Sequence, residues 1–146
     1  MNKATIHNLA ELSQWVSTFL KDLSPRDTAT IVTLSGDLGA GKTALVKKAA
    51  EFFGINETIT SPTFVIQKEY EIQTPHSSFK KMVHIDAYRL ESPSELEYLG
   101  WEVMIKDIET IIFLEWPEMV SGINLPSAIN LKLLVQSDDA RIIEVN

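Results

Sequence analysis

Eight consecutive residues, Gly36-Asp37-Leu38-Gly39-Ala40-Gly41-Lys42-Thr43, dictate the local fold around them. They match G-x-x-x-x-G-K-[ST] at every fixed position. A random chain of this length would do so on the order of one time in a few hundred. Ahead of the loop stands a short β-branched and apolar run, residues 29–35 (Ala-Thr-Ile-Val-Thr-Leu-Ser), which reads as a buried strand. Behind it, Lys42 to Phe53 has helical spacing, with Gly54 as the C-terminal cap. Glycines at 36, 39 and 41 allow backbone turns closed to other residues, so that N–H groups converge on an anion. The helix behind directs its partial positive end to the same spot. In such a loop the Lys42 ammonium reaches β- and γ-phosphates and the Thr43 hydroxyl ligates Mg²⁺. The expected nucleotide contacts are Gly36, Asp37, Leu38, Gly39, Ala40, Gly41, Lys42, Thr43 and Ala44.

The rest of the chain is compatible with one α/β domain spanning residues 1–146. Asn8 and Glu11 have capping-box spacing ahead of a helix carrying Leu9, Leu12, Trp15, Val16, Phe19 and Leu20, with Pro25 beyond its end. Phe64–Ile72 and Lys81–Asp86 read as strands joined through Pro75. Ser92-Pro93-Ser94-Glu95 starts a helix that presents Leu96 and Leu99 inward until Gly100. Thr110–Leu114 is a further buried strand, and 129–136 and 140–145 pair around Ser137-Asp138-Asp139. The fold class expected is a three-layer α/β domain, similar to P-loop NTPases, with a mixed central sheet.

A phosphate loop of this kind needs a second metal-positioning carboxylate at the end of a neighbouring strand. Asp86 ends the strand 81–85 and Glu115 ends the strand 110–114. Either can bind Mg²⁺ directly or through water while the other orients the attacking water. A lone strand-end carboxylate is usually a solvated turn residue; the loop is what raises these two above that. Thr60-Ser61-Pro62-Thr63 lies where nucleotide switches place a γ-phosphate-sensing threonine, so Thr63 joins the expected contacts. His7, His76 and His84 lack metal-ligand spacing, and His84 reads as a hydrogen-bonded structural residue inside a strand. Trp116 reads as a core or lid aromatic.

Composition narrows the partners. The net charge is −7 with only three arginines, Arg26, Arg89 and Arg141. A protein that grips RNA or DNA alone usually presents a basic face, so direct strong nucleic-acid binding is not expected. Cysteine is absent, which removes disulfides, thiolate metal sites and a cysteine nucleophile. No apolar run is long enough to span a membrane, and residues 1–20 lack a signal-peptide pattern. A cytoplasmic protein is expected.

GDLGAGKTALVK (36–47), SPTF (61–64), HIDAYRL (84–90), ELEYLGWE (95–102) and LEWPE (114–118), in this order, resemble the TsaE family. The resemblance runs from the first helix nearly to the C-terminus, and the combination is far more specific than the phosphate loop alone. It implies a small, weak ATPase needed to make threonylcarbamoyladenosine in transfer RNA, next to the anticodon, working with TsaB and TsaD. It also implies ATP and Mg as cofactors, with Thr43 and Glu115 as Mg²⁺ ligands and Lys42 on the phosphates. Asp86 becomes the acidic residue needed for hydrolysis. Ser61–Phe64 form a first switch and Glu115-Trp116-Pro117 a second. The region Ile6–Glu11 falls at the adenine pocket, and Arg141 corresponds to an arginine near the nucleotide. Ala44 departs from the Thr or Ser that many relatives carry, with little expected consequence.

Other classes compete less well. A P-loop small-molecule kinase usually clamps the phosphoryl group with several arginines. A GTP-dependent switch would carry Asn-Lys-x-Asp, which is missing. A nucleotide-binding scaffold without turnover requires that Asp86 and Glu115 be dispensable.

Overall fold

The computed structural model describes residues 2–24, 26–60, 66–75 and 77–146. Its elements run β1 (Asn2–Ile6), α1 (Leu9–Lys21), β2 (Thr30–Ser35), α2 (Lys42–Phe52), β3 (Gln67–Glu71) and β4 (Lys81–Asp86). There follow α3 (Pro93–Tyr98), α4 (Trp101–Met104), β5 (Thr110–Glu115), a 3₁₀ turn (Pro117–Val120), β6 (Ile129–Ser137) and β7 (Ala140–Val145). The seven strands form one sheet in the order β1-β7-β6-β2-β5-β4-β3. The four central strands β6, β2, β5 and β4 are parallel, and β3, β7 and β1 add antiparallel edges. The sheet is mixed, as expected.

Strand alternation builds the two outer layers. Val32 and Leu34 of β2, Met82 of β4 and Ile111 and Phe113 of β5 pack with α1 and α2. Their neighbours Ile31, Val83, Ile85, Ile112 and Leu114 pack with α3, α4 and the 3₁₀ turn. The central strands are therefore apolar on both faces, which is why they read as unbroken hydrophobic runs. Full burial of each such side chain contributes about 1.5–3 kcal/mol.

The helix ends follow local chemistry. The Asn8 side chain accepts from Glu11 N at 2.8 Å, while the Glu11 carboxylate accepts from His7 N, one residue before the cap. These bonds from His7 hold the Glu11 carboxyl below its ordinary pKa. At the end of α2 Gly54 is left-handed, with Gly54 N donating to Glu51 O and Ile55 N to Ala50 O, the two bonds of a Schellman motif.

Two expectations change. Leu99 does not face inward: α3 stops at Tyr98, and Leu99 is 45% exposed whereas Leu96 is fully buried. The chain then turns at left-handed Gly100 into α4, whose Trp101 takes the inward position and donates Nε1–H to Asn124 O at 2.8 Å. Strand β1 has no counterpart in the sequence pattern, and the strand expected over 64–72 spans Gln67–Glu71, its first two residues lying outside those described.

Candidate functional site

The site lies at the carboxyl ends of β2, β4 and β5, where ligands of open parallel sheets collect. Ser35 ends β2, and the loop 36–41 delivers the chain to α2, whose N-cap is left-handed Gly41 with no side-chain cap. Gly36 has no substitute there. Its φ is +143°, and a Cβ at this position would collide with Leu133 O of β6. Asp37, Leu38 and Gly39 are exposed at the loop crest, whereas Ala40 is buried beneath it.

Lys42 is only 5% exposed. Its Nζ donates to Gly36 O and, at 2.9 Å, to Asp37 O, so the ammonium folds back onto its own loop. It also lies 4.2 Å from the centre of the Trp116 ring. Burial lowers its pKa below the ordinary lysine value, against the opposing pull of Glu115, Asp86, Glu118 and Asp37. Trp116 sits in the left-handed region, φ 60° and ψ 54°, rare for a bulky residue and costing about 1–2 kcal/mol. That backbone carries its ring over Lys42 and against Tyr88, with centroids 4.9 Å apart.

Glu115 is 2% exposed at the end of β5. The Thr43 hydroxyl stands 3.4 and 3.3 Å from its two carboxylate oxygens. His84 Nε2 lies 2.5 Å from Glu115 Oε2. Asp86 is the register partner of Glu115 across β4 and β5, and its Oδ1 accepts from Tyr88 N at 3.0 Å. By strand parity His84, Asp86 and Glu115 share the face occupied by α2. The structure thus brings together Lys42, Thr43, Asp86 and Glu115. Thr63 and the segment Ser61–Phe64 lie outside the described residues.

Whether this arrangement suits a magnesium ion depends on the donors. A hydroxyl and a carboxylate converging at 3.3–3.4 Å are hard oxygen ligands of the kind Mg²⁺ takes beside phosphate and water. Among the described residues no three His, Cys, Asp or Glu side chains converge to hold a metal unaided. The pair Thr43 and Glu115 fits a cation that draws its other ligands from a phosphate chain.

On the other side of the loop, a cleft of about 330 Å³ runs between the β1–α1 corner and the β6–β7 turn. Ile6, His7, Asn8, Leu9 and Leu12 line one wall, Gly39, Gly41 and Ala44 the floor, and Asp138, Asp139, Ala140 and Arg141 the other wall. The Arg141 guanidinium donates to Ser137 O at 3.0 Å and Ala140 O at 3.2 Å. The Ile6–Glu11 region and Arg141, far apart in sequence, therefore meet beside the loop. Two features escaped sequence reasoning. Asp138 and Asp139 line this cleft, and His84 contacts Glu115. The His84–Glu115 contact depends on β4–β5 register, which no local pattern encodes.

Fold and site together define the class: an α/β protein whose glycine-rich loop joins a central parallel strand to a helix, beside two strand-end carboxylates. Residues 6–143 match the family described as "Threonylcarbamoyl adenosine biosynthesis protein TsaE". The tRNA threonylcarbamoyladenosine biosynthesis protein TsaE of Rickettsia prowazekii is 33% identical over 97% of this chain and 92% of its own length. That of Haemophilus influenzae is 39% identical over 82% and 71%. Among solved structures, Bacillus subtilis YdiB superposes with a TM-score of 0.75 at 25% identity, covering 97% of this chain and 82% of YdiB. The chain belongs to the TsaE family of tRNA threonylcarbamoyladenosine biosynthesis. No helix among its described residues is long and apolar enough to cross a membrane.

Proposed function

We propose that this chain binds Mg-ATP across the loop Gly36–Thr43 and hydrolyses it slowly, as the ATP-dependent member of a cytoplasmic assembly with TsaB- and TsaD-type proteins. The observation that carries the reading is the approach of Thr43 Oγ1 to both Glu115 oxygens directly beside Lys42. The loop backbone and the α2 N-terminus receive the phosphates, and the cleft between Ile6–Leu12 and Arg141 receives the base. Lys42 leaves the carbonyls of Gly36 and Asp37 for β- and γ-phosphate oxygens. Thr43 and Glu115 would hold Mg²⁺, which when bound would neutralise charge on the phosphate chain. Asp86 or Glu115 orients a water for in-line attack on the γ-phosphorus. The bond to the β–γ bridging oxygen breaks, and ADP and phosphate leave. The segments Ser61–Phe64 and Glu115–Pro117 pass the nucleotide state to the partners.

The acidic charge supports a division of labour in which other proteins hold the RNA. The test is phosphate release from Mg-ATP with and without purified TsaB and TsaD, beside Lys42→Ala and Asp86→Ala. Slow release that rises with the partners and vanishes in both variants is expected. Tight ATP binding without turnover under any condition would replace this reading with a nucleotide-dependent scaffold, and a phosphorylated small molecule as product would replace it with a kinase.

A further inference from the structure

We infer that His84 is a positioning residue for Glu115: it fixes how the carboxylate is presented to Thr43 and to a metal ion that this pair would hold. The inference rests on the magnesium reading of that pair. Three observations converge. The His84 ring is fully buried in the middle of β4, flanked by Met82, Val83 and Ile85, where an aliphatic side chain would pack without a desolvation cost. Its Nε2 meets Glu115 Oε2 at 2.5 Å, and the same oxygen lies 3.3 Å from Thr43 Oγ1. Its Nδ1 has no hydrogen-bond partner among the described residues. The bond to Glu115 is therefore what the imidazole contributes in return for its burial.

The consequence for the carboxylate is geometric. Glu115 is 2% exposed, so water does little to orient it. With a proton on His84 Nε2, the ring donates to Oε2 from the strand beside it and limits rotation of the carboxylate. Without that donor the Thr43 hydroxyl, itself a candidate ligand, is the remaining side-chain hydrogen bond to the carboxylate among the described residues. Hydrogen bonds to metal ligands of this sort typically change metal affinity 10–100-fold. The H-x-D spacing then acquires a physical reason. Two residues along one strand place His84 and Asp86 on the same sheet face, one supporting Glu115 from within and the other beside it at the rim.

The test uses the full chain and the Mg²⁺ dependence of binding to the fluorescent nucleotide N-methylanthraniloyl-ATP, compared among wild type, His84→Leu and His84→Gln. His84→Leu is expected to raise the half-saturating Mg²⁺ concentration about 10–100-fold. In EDTA its nucleotide affinity stays within about twofold of wild type. His84→Gln, whose amide can donate from near the Nε2 position, is expected to restore the Mg²⁺ requirement to within about threefold. A wild-type protein whose nucleotide binding ignores Mg²⁺ overturns the magnesium reading itself. Wild-type Mg²⁺ dependence left unchanged in His84→Leu overturns the role of His84 alone. A shift in His84→Gln as large as in His84→Leu also overturns it, because the donor would then be irrelevant. Should His84→Leu fail to fold, His84→Asn takes its place, its amide being too short to reach Glu115. A tenfold shift there supports the inference, and wild-type behaviour overturns it.

Discussion

The Lys42 ammonium lies 4.2 Å from the centre of the Trp116 indole while donating to the carbonyls of Gly36 and Asp37. A cation over an indole face is stabilised by about 0.5–2 kcal/mol. The phosphates of a nucleotide offer the same ammonium full negative charge, a stronger partner than two carbonyls and a ring. ATP is therefore expected to draw Lys42 away from Trp116 and change its surroundings. The other tryptophans are placed elsewhere: Trp15 stacks on Phe19 in α1, and Trp101, the first residue of α4, is fully buried. Tryptophan emission should change on adding Mg-ATP, and Trp116→Phe should abolish the change. A change that persists in Trp116→Phe would mean that the Lys42–Trp116 contact survives nucleotide binding or reports nothing of it.

The same burial makes Lys42 a stability liability. Its folded pKa is depressed by desolvation, so the unfolded chain binds the proton more tightly. The penalty is complete below the folded pKa. It shrinks as pH rises through that value toward the ordinary lysine range, because stability grows with pH wherever the unfolded state holds more protons. Lys42→Met removes the charge and keeps much of the volume. It is expected to raise Tm at pH 7 to the extent that the desolvation of the charge outweighs the lost contacts with Gly36, Asp37 and Trp116, while eliminating ATP turnover. The gap in Tm from wild type should narrow as pH approaches 10. Thermal unfolding of both proteins from pH 7 to 10 measures it; a gap that widens would contradict the assignment of the strain to the buried ammonium.

Two glycines of one loop should respond unequally to alanine. At Gly36 both the +143° φ and the collision with Leu133 O forbid a Cβ. The atom in the way is backbone of the adjacent strand, which cannot swing aside. Gly36→Ala is expected to destabilise by about 3 kcal/mol or more, a fall of roughly 10 °C in Tm. Gly39 has φ +81° and open space, with nothing within 4 Å of where a Cβ would stand, so only backbone strain opposes alanine. Gly39→Ala should cost about 1 kcal/mol, two to four degrees. Equal losses in calorimetry would show that the clash with β6 is relieved by movement of the loop.

What could be read in the chain beforehand was what local pattern encodes. The loop, its flanking strand and helix, the caps at Asn8, Ser92 and Gly54, and the strand-end positions of Asp86 and Glu115 all follow from spacing within a dozen residues. Strand β1 did not, because Asn2–Ile6 carries little apolar pattern and is extended through pairing with β7 at the other end of the chain. Leu99 misled for a different reason. Helical spacing from Leu96 points it inward only if the helix continues, and α3 ends one residue earlier. The contact of His84 with Glu115 required the register Asp86↔Glu115, a long-range property of the sheet.

Asp86 and Glu115 are neighbours across a ladder with different surroundings, and the proposed ATPase reading predicts different work for each. Glu115 is buried and held by Thr43 and His84, a setting suited to a fixed metal ligand. Asp86 is half-buried at the strand end, its Oδ1 accepting from Tyr88 N. Asp86→Asn keeps the acceptor for Tyr88 N but weakens the group's pull on a water proton. It is expected to lower the ATP hydrolysis rate about 10²–10⁴-fold while leaving nucleotide affinity within about threefold of wild type. Glu115→Gln weakens the metal ligand instead, so its loss of turnover should be accompanied by a raised Mg²⁺ requirement. Phosphate release measured across a magnesium series separates the two. Rate recovered by excess Mg²⁺ in Asp86→Asn and not in Glu115→Gln would reverse the roles, making Asp86 the metal ligand and Glu115 the residue that orients water.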